Sequence, residues 1–197
     1  MIKELIYKNR SYRRFYQNEK IEMETLEELV DLARHSACGM NLQSLKYVLS
    51  CDPQINALIF KRLGWAGYLK DWKGPSEGEK PAAYVVLLGD TSIHKDFFCD
   101  HGIACQSILL GAVEKGLGGC ILATINRDGL RKDLTVNDEY QILLIVALGK
   151  PREEVRVEYI ETGGDIKYWR DENSVHHVPK RPLQEIIVQK YGSNPLI

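Results

Sequence analysis

Two nearly uninterrupted apolar segments place the strongest limit on how this 197-residue chain can fold. Residues 82–89 read Ala-Ala-Tyr-Val-Val-Leu-Leu-Gly, and residues 140–148 end in Ile-Leu-Leu-Ile-Val-Ala-Leu. Short apolar runs that contain β-branched residues are typical of strands buried on both faces. Between the two runs, residues 101–116 carry apolar side chains over a surface broad enough for a central helix. The chain therefore predicts a mixed fold with buried strands and one buried helix.

Shorter patterns predict the remaining elements. Apolar residues recur at helical spacing after Glu22 and Glu24, which indicates an amphipathic helix. Pro53 and Asn126 are suited to starting helices, as a first-turn residue and an N-cap respectively. The expected elements are a helix over 22–35, a strand over 47–49, a helix over 55–63, a strand over 120–123, a helix over 126–134 and a final helix over 183–188. Residues 152–179 are charged and poorly patterned, so no element is predicted there.

The composition favours one ordinary globular domain over residues 1–197. The chain carries 26 Lys and Arg against 27 Asp and Glu, so it has no overall attraction to nucleic acid or to anionic lipid. No segment reaches the roughly 18 consecutive apolar residues that a membrane-spanning helix needs. Glu4 stands where a secretion signal would be apolar, so we expect a cytoplasmic protein.

The five cysteines give no framework for disulfides or a metal. Their count is odd, and no two of them form a C-x-x-C pair. Cys99 and Cys105 lie near His94 and His101, which raises the alternatives of a zinc site or a catalytic thiol. Their spacing matches no tetrahedral zinc motif, so we favour reduced thiols and predict no metal site.

A basic cluster near the N-terminus is suited to binding a phosphate group. It begins at Arg10 and reads Arg-Ser-Tyr-Arg-Arg, so that Arg10 and Arg13 can converge with the Ser11 hydroxyl on one dianion. The alternative is a solvated basic start to the chain. Lys180 and Arg181 form a second basic pair, far away in the sequence.

Two further clusters are candidates for holding a planar ligand. In extended backbone, the amides of Asn41 and Gln43 would face the same side and suit the polar edge of a heterocycle. The alternative is a loop that satisfies its own backbone. Residues 116–119 (Gly-Leu-Gly-Gly) would let a ligand approach the backbone, or would simply end the central helix.

Residues 64–81 change in composition and are predicted to form a loop that covers a site. Glycines and prolines interrupt regular structure there, while Trp65, Tyr68 and Trp72 supply large aromatic faces. A flat apolar cover suits a shallow substrate pocket. Ordinary packing in the core or in an interface is the alternative for these three rings.

Taken in order, these clusters resemble the FMN-dependent nitroreductase family. The resemblance rests on Arg10-Ser11-x-Arg13-x-Phe15, Asn41-x-Gln43, Asp100-x-Gly102-x-Ala104-x-Gln106, Gly116-Leu117-Gly118, Ala147-Leu148-Gly149-x-Pro151 and Lys180-Arg181-Pro182-Leu183. It spans nearly the whole chain, and the order of the motifs is more specific than any one of them. The resemblance implies an α+β fold in which a central, mostly antiparallel sheet is wrapped by helices. It also implies an interlocked homodimer that holds FMN at its interface.

The resemblance assigns roles to individual residues. Arg10, Ser11 and Arg13 would bind the phosphate and ribityl oxygens of FMN, and Lys180 or Arg181 would complete the phosphate clamp. The ribityl chain and pyrimidine edge would meet the two loop amides, Asn41 and Gln43. The backbone of Leu122 and Ala123 would contact the flavin ring near N5, and Gly118 and Gly119 would keep the approach to the ring open.

The implied activity is that of an FMN-dependent oxidoreductase. Hydride would pass from NADH or NADPH to flavin N5 and on to a nitroaromatic, a quinone or a related oxidant in a ping-pong cycle. Lys80 and Lys70 are candidates to stabilise the reduced flavin near N1, and no side chain is assigned as a catalytic acid or base. Two alternatives remain: a reductase of the same fold fed by ferredoxin or a flavoprotein, and a non-catalytic flavin-binding or sensory module.

Overall fold

A four-stranded antiparallel sheet forms the centre of the first part of the chain. Its strands are β1 (Leu45–Ser50), β2 (Ala83–Asp90), β3 (Gly118–Leu122) and β4 (Tyr140–Gly149), in the order β1-β2-β4-β3. The two middle strands, β2 and β4, come from the two apolar runs, and every residue of β2 is buried. The expected strand over 82–89, buried on both faces, is therefore confirmed.

Helices cover both faces of this sheet. They are α2 (Met23–Arg34), α3 (Pro53–Phe60), α4 (Asp100–Glu114) and α5 (Arg127–Leu134). Val85 and Leu87 of β2 pack with α2 and α4, whereas Val86 and Leu88 pack with α3 and α5. This alternation builds one hydrophobic core on each face, with α4 as the central helix that the sequence predicted. The α+β architecture with a central antiparallel sheet is confirmed.

The strand after the central helix begins earlier than expected. The sequence predicted a strand over 120–123, whereas β3 is Gly118–Leu122 and leaves Ala123 outside. The left-handed turn is made at Gly116, with φ of 72°, so pairing with β4 starts at once with Gly118 opposite Gly149. The second half of the glycine-rich segment, Gly118 and Gly119, therefore belongs to the strand, and only the first half forms the turn.

The computed structural model describes residues 1–192 and divides the chain into two compact units. The first unit is Met1–Glu153, and the second begins at Glu154. A single domain over 1–197 stays a prediction, and its last residues, 193–197, lie outside the described part. Among the described residues, no helix is long and apolar enough to cross a membrane.

The second unit contains three short strands that the sequence analysis did not predict. They are β5 (Val155–Tyr159), β6 (Trp169–Arg170) and β7 (His176–Lys180), with β7 in the middle, parallel to β5 and antiparallel to β6. Residues 155–159 do alternate apolar and charged side chains, a short strand pattern that was overlooked, whereas β6 has only two residues and gives no pattern. The final helix, α6 (Leu183–Ile186), ends before residue 188, where the sequence pattern placed its end.

Two cysteines behave as small apolar residues. Cys105 is a residue of α4 and lies in the core on one face of the sheet, and Cys120 lies in the core on the opposite face. Burial raises the pKa of each thiol to about 12, so both stay protonated at neutral pH. All five cysteines are free thiols, as the sequence predicted.

Candidate functional site

The basic N-terminal cluster lies against the glycine-rich strand β3. Ser11 forms a parallel bridge with Gly119, and the Tyr12 backbone N–H donates to the Gly119 carbonyl at 3.0 Å. Because β3 is the outer strand of its sheet, this segment extends the edge of the sheet. Two clusters that are far apart in the sequence are therefore neighbours in the fold.

The two glycines of β3 make room for atoms of the chain itself. A Cβ on Gly118 would lie 2.5 Å from Cδ2 of Tyr12 and 2.8 Å from Cγ of Pro151. A Cβ on Gly119 would collide with the carbonyl oxygen of Ala147. These contacts correct the expectation that the missing side chains keep space open for a ligand, because packing already fills that space. A backbone contact between these glycines and a ligand stays a prediction.

The Arg10 guanidinium has a buried nitrogen without an acceptor. Its Nη2 donates to the Ile6 carbonyl at 2.6 Å, within α1 (Ile2–Lys8). Its Nε is buried and has no hydrogen-bond partner among residues 1–192. Leaving a buried donor unsatisfied costs about 1–3 kcal/mol, and more for a charged group. An anion that accepts from Nε would remove this cost, so the site fits a phosphate.

Two acidic side chains that the sequence analysis missed fix the basic segment. Glu153 accepts hydrogen bonds from the backbone N–H groups of Arg13 and Arg14, the second at 3.2 Å. Glu79 pairs with the Arg14 guanidinium and accepts from the Ser76 hydroxyl at 3.0 Å. The hydrogen bond from Arg14 is the main reason that the pKa of Glu79 lies below its ordinary value. No motif links positions so far apart, so the sequence gives no signal for either contact.

The amide loop, residues 39–43, has a different backbone from the extended one that we expected. Gly39–Asn41 forms a 3-10 turn, and φ is 49° at Met40, 54° at Asn41 and 52° at Gln43. Left-handed backbone at non-glycine residues costs about 1–3 kcal/mol each and persists only where the surroundings enforce it. The side chains of Asn41 and Gln43 are exposed, so both remain available to a ligand.

The amide loop and the basic segment contact α4 at different heights. The Gly39 N–H donates to the carboxylate of Asp100, the first residue of α4, at 2.9 Å. Asn9, next to Arg10, donates from Nδ2 to Oε1 of Gln106 at 3.5 Å. Six residues of helix correspond to roughly 9 Å of rise. The two contact points on α4 are therefore about two turns of helix apart.

A sequence profile of the nitroreductase family matches residues 6–150, which is well over half of the chain. The chain belongs to the nitroreductase family. The matched residues include the basic segment, the amide loop, α4 and β3. The resemblance seen in the motifs is thereby confirmed.

Individual relatives of this nitroreductase-family chain are distant but cover most of it. A Bacillus subtilis (strain 168) protein provisionally named NAD(P)H nitroreductase MhqN is 18% identical, over 77% of this chain and 89% of its own. A nitroreductase family protein from Streptococcus pneumoniae TIGR4 has a solved structure that matches with a TM-score of 0.72 and 13% identity, covering 96% of this chain and 100% of that one. An FMN-dependent nitroreductase from Clostridium difficile R20291 gives a TM-score of 0.64 and 23% identity, covering 88% and 99%. These structures show that the fold is shared.

The end of β3 combines buried and exposed positions in this nitroreductase-family chain. Leu122 is buried in the core, whereas Ile121 is 41% exposed. Ala123 is exposed just beyond the strand, and its carbonyl accepts from Arg127 Nη2 at 3.5 Å. Contacts from the backbone of Leu122 and Ala123 to a flavin ring stay a prediction.

The three aromatic residues of the loop over 64–81 have different environments. Trp65 is buried in the core beside Phe60, with ring centroids 5.8 Å apart, and the backbone of Gly74 packs against its indole. Trp72 is partly buried against the same core, whereas Tyr68 is 51% exposed. Core packing therefore describes Trp65, which corrects its assignment to the cover. A place for Tyr68 and Trp72 beside a substrate stays a prediction.

The basic pair near the C-terminus belongs to the second unit. Lys180 is the exposed last residue of β7, and Arg181 pairs with Glu185 one turn later. Their part in a phosphate clamp with Arg10 stays a prediction.

The two lysines considered for the N1 position also differ. Lys80 Nζ pairs with Glu77 at 2.6 Å and lies 4.9 Å above the centroid of the Phe60 ring, whereas Lys70 is exposed. Lys80 lines a cleft of about 660 Å³ between residues 17–22, α3 and residues 77–82, which holds none of the residues assigned to FMN. This placement gives no support to a role for Lys80 near N1.

Proposed function

We propose that the protein is an FMN-dependent oxidoreductase that uses NADH or NADPH to reduce a nitroaromatic compound, a quinone or a related small oxidant. The observation that carries the proposal is the contact of residues 11 and 12 with Gly119. This contact places the basic cluster, which is suited to binding phosphate, beside β3. The family resemblance assigns the end of β3 to the flavin ring. Membership of the nitroreductase family supports the reaction class, and two relatives are named for NAD(P)H and for FMN.

The proposed phosphate site is built around Arg10. A phosphate oxygen would accept from the buried Nε, and a charge-assisted hydrogen bond of this kind contributes about 1.5–3 kcal/mol. Ser11 and Arg13 would add further donors to the same group. Lys180 or Arg181 would complete the clamp.

The proposed site for the polar edge of the flavin is the amide loop. Asn41 accepts a weak contact from Cys38 Sγ at its Oδ1, at 3.9 Å, and Gln43 donates from Nε2 to the Asn41 carbonyl at 3.5 Å. Within residues 1–192, these contacts leave the Asn41 Nδ2 donor and the Gln43 Oε1 acceptor for a ligand. A pyrimidine edge offers carbonyl acceptors and an N–H donor, which match them.

The division of labour between cofactor and chain follows from these contacts. FMN would supply the hydride-accepting N5 atom and a ring face that the electron donor and the oxidant use in turn. The chain would bind the phosphate at Arg10, orient the ring through the amide loop and offer Tyr68 beside the open face. No side chain is assigned as an acid or a base, so the proton would come from solvent.

A homodimer is part of the proposal. Helix α1 buries none of its side chains, and Ile2, Ile6 and Tyr7 are 60%, 44% and 65% exposed. Ile2 and Ile6 are four residues apart and share a face of α1, and exposed apolar residues on one face commonly mark an interface. A second copy would cover α1 and could bring its own amide loop to the Arg10 of the first.

The decisive experiment is a flavin titration of the purified protein, followed by anaerobic mixing with NADH and with NADPH. We expect flavin absorption bands, uptake of added FMN to one per chain, and fast loss of the oxidised spectrum with at least one nicotinamide. A protein without flavin bands that takes up no FMN would contradict the proposal. Tight FMN binding with slow reduction by both nicotinamides would instead assign electrons to a protein donor, or a non-catalytic role.

A further inference from the structure

The amide loop is held by Asp100, the first residue of α4, and by Phe98, which lies just before that helix. Asp100 is 3% exposed, and its carboxylate accepts the Gly39 N–H at 2.9 Å. Phe98 packs its ring on the other side of Gly39, where a Cβ would lie 2.7 Å from Cδ2 of the ring. Both contacts act on the first residue of the loop, immediately before the left-handed positions.

These contacts are placed where the loop most needs support. Met40, Asn41 and Gln43 all adopt left-handed backbone. The Gln43 side chain donates to the Asn41 carbonyl, a residue of the same loop. The loop makes its own short hydrogen bonds, from Asn41 N–H to Cys38 at 3.2 Å and from Leu42 N–H to Gly39 at 3.0 Å. Such local bonds do not connect the loop to the rest of the protein. The hydrogen bond from the Gly39 N–H to the buried carboxylate of Asp100 does connect it, and so fixes its orientation relative to α4.

We propose that Asp100 is a positioning residue for flavin binding, which holds the amide loop through the Gly39 N–H so that Asn41 and Gln43 meet the ligand in a fixed orientation. This inference rests on the proposed function. Fixing a binding loop before the ligand arrives reduces the ordering cost of binding, so loss of the contact should weaken affinity without removing any ligand contact. Phe98 supports the same residue by packing.

The chain offers matched variants for a test. Asp100→Ala removes the acceptor, whereas Asp100→Asn keeps an oxygen that can accept from Gly39 and removes only the charge. Phe98→Ala removes the second support at a residue that is 45% exposed, so it should fold even where Asp100→Ala does not. Ser107→Ala is the control, because Ser107 joins the same helix to Ser36 of the preceding segment at 2.7 Å without touching Gly39.

The measurement is the FMN dissociation constant of each variant, from quenching of flavin fluorescence. We expect an increase of about tenfold for Asp100→Ala and for Phe98→Ala, substantial rescue in Asp100→Asn and no more than about a twofold change in Ser107→Ala. In a background that already carries Asn41→Ala and Gln43→Ala, Asp100→Ala should add less than about twofold, since it acts through those amides.

The outcomes separate this inference from the proposed function. A wild-type protein that binds no FMN contradicts the proposed function before any variant is compared. Wild-type binding that Asp100→Ala and Phe98→Ala leave unchanged overturns the positioning role alone. A full tenfold effect of Asp100→Ala in the background without the loop amides also overturns it, because the effect would then not pass through the loop.

Discussion

The Tyr12 ring occupies the place beside Gly118 where a side chain would otherwise stand, with its Cδ2 atom 2.5 Å from the Cβ position. The backbone N–H of Tyr12 also donates to the carbonyl of Gly119 at 3.0 Å. Together these contacts fix the basic segment on the edge of β3 and set the place of Arg10, two residues earlier. A glycine at position 118 is therefore a condition for the proposed phosphate site.

Replacing Gly118 with alanine should displace Tyr12 and weaken both folding and FMN binding. Overpacking of this kind typically costs about 1–3 kcal/mol, which urea unfolding would measure. Gly102→Ala is the matched control, because a Cβ at this exposed position of α4 meets nothing within 4 Å. That control should be neutral or slightly stabilising, since alanine favours helix over glycine. Equal stability of the two variants would contradict the account of Gly118.

Arg10 should recognise the phosphate and not the rest of the flavin. Arg10→Ala is expected to raise the dissociation constant of FMN by about tenfold or more, and to leave that of riboflavin, which lacks the phosphate, nearly unchanged. Arg13→Ala should behave in the same direction. Arg34→Ala, at an exposed arginine of α2, is the control. An equal loss for both ligands would show that Arg10 acts on the fold instead of on the phosphate.

Replacing Trp65 should affect mainly stability, whereas replacing Tyr68 should affect mainly catalysis. Trp65→Ala is expected to lower the free energy of unfolding by about 3–5 kcal/mol, because the indole is buried in the core. Tyr68→Ala should cost far less stability and should change the KM for the oxidant. Unfolding curves and steady-state kinetics of the two variants check this directly. A Tyr68→Ala enzyme with unchanged kinetics toward every oxidant would remove Tyr68 from the substrate pocket.

The second unit should lose stability as pH rises. His177 donates to Glu158 at 2.6 Å and to Asp171 at 3.2 Å, and these partners, chiefly Glu158, raise its pKa above the ordinary 6.5. Because this pKa is raised, the stabilisation that protonated His177 gives to the fold is complete below about pH 6.5. It disappears as the pH rises through the pKa of His177 in the folded state. His177→Gln should flatten the pH dependence of unfolding in this range. An NMR titration giving a pKa at or below 6.5 for His177 would contradict this prediction.

The sequence was sufficient to predict helices and strands where burial produces a local pattern of apolar residues. Residues 82–89 could be assigned to a strand because they form a continuous buried run, and residues 101–116 to a helix because they bury a broad apolar face. Asn126 caps α5 by accepting from the Gly129 N–H at 3.0 Å. The strands β5 to β7 were missed because β6 has only two residues and the alternation over 155–159 is short and lies within a charged stretch.

The site was predictable in its chemistry and not in its geometry. The residue types around Arg10 and Gly118 suggested a ligand, but their contact is a pairing between distant segments that no local pattern encodes. The extended backbone predicted for Asn41 and Gln43 was wrong for the same reason, since the loop contacts Asp100 of α4 and Phe98 just before it, about 60 residues away in the sequence. Glu79 and Glu153 show no motif at all, although they hold the arginine segment in place.

A crystal structure of the protein with FMN tests the central claim most directly. The account predicts a phosphate oxygen within hydrogen-bond distance of Arg10 Nε, the nitrogen that has no partner in the described chain, and a flavin ring at the end of β3. A phosphate bound elsewhere, with Arg10 Nε still lacking an acceptor, would contradict it.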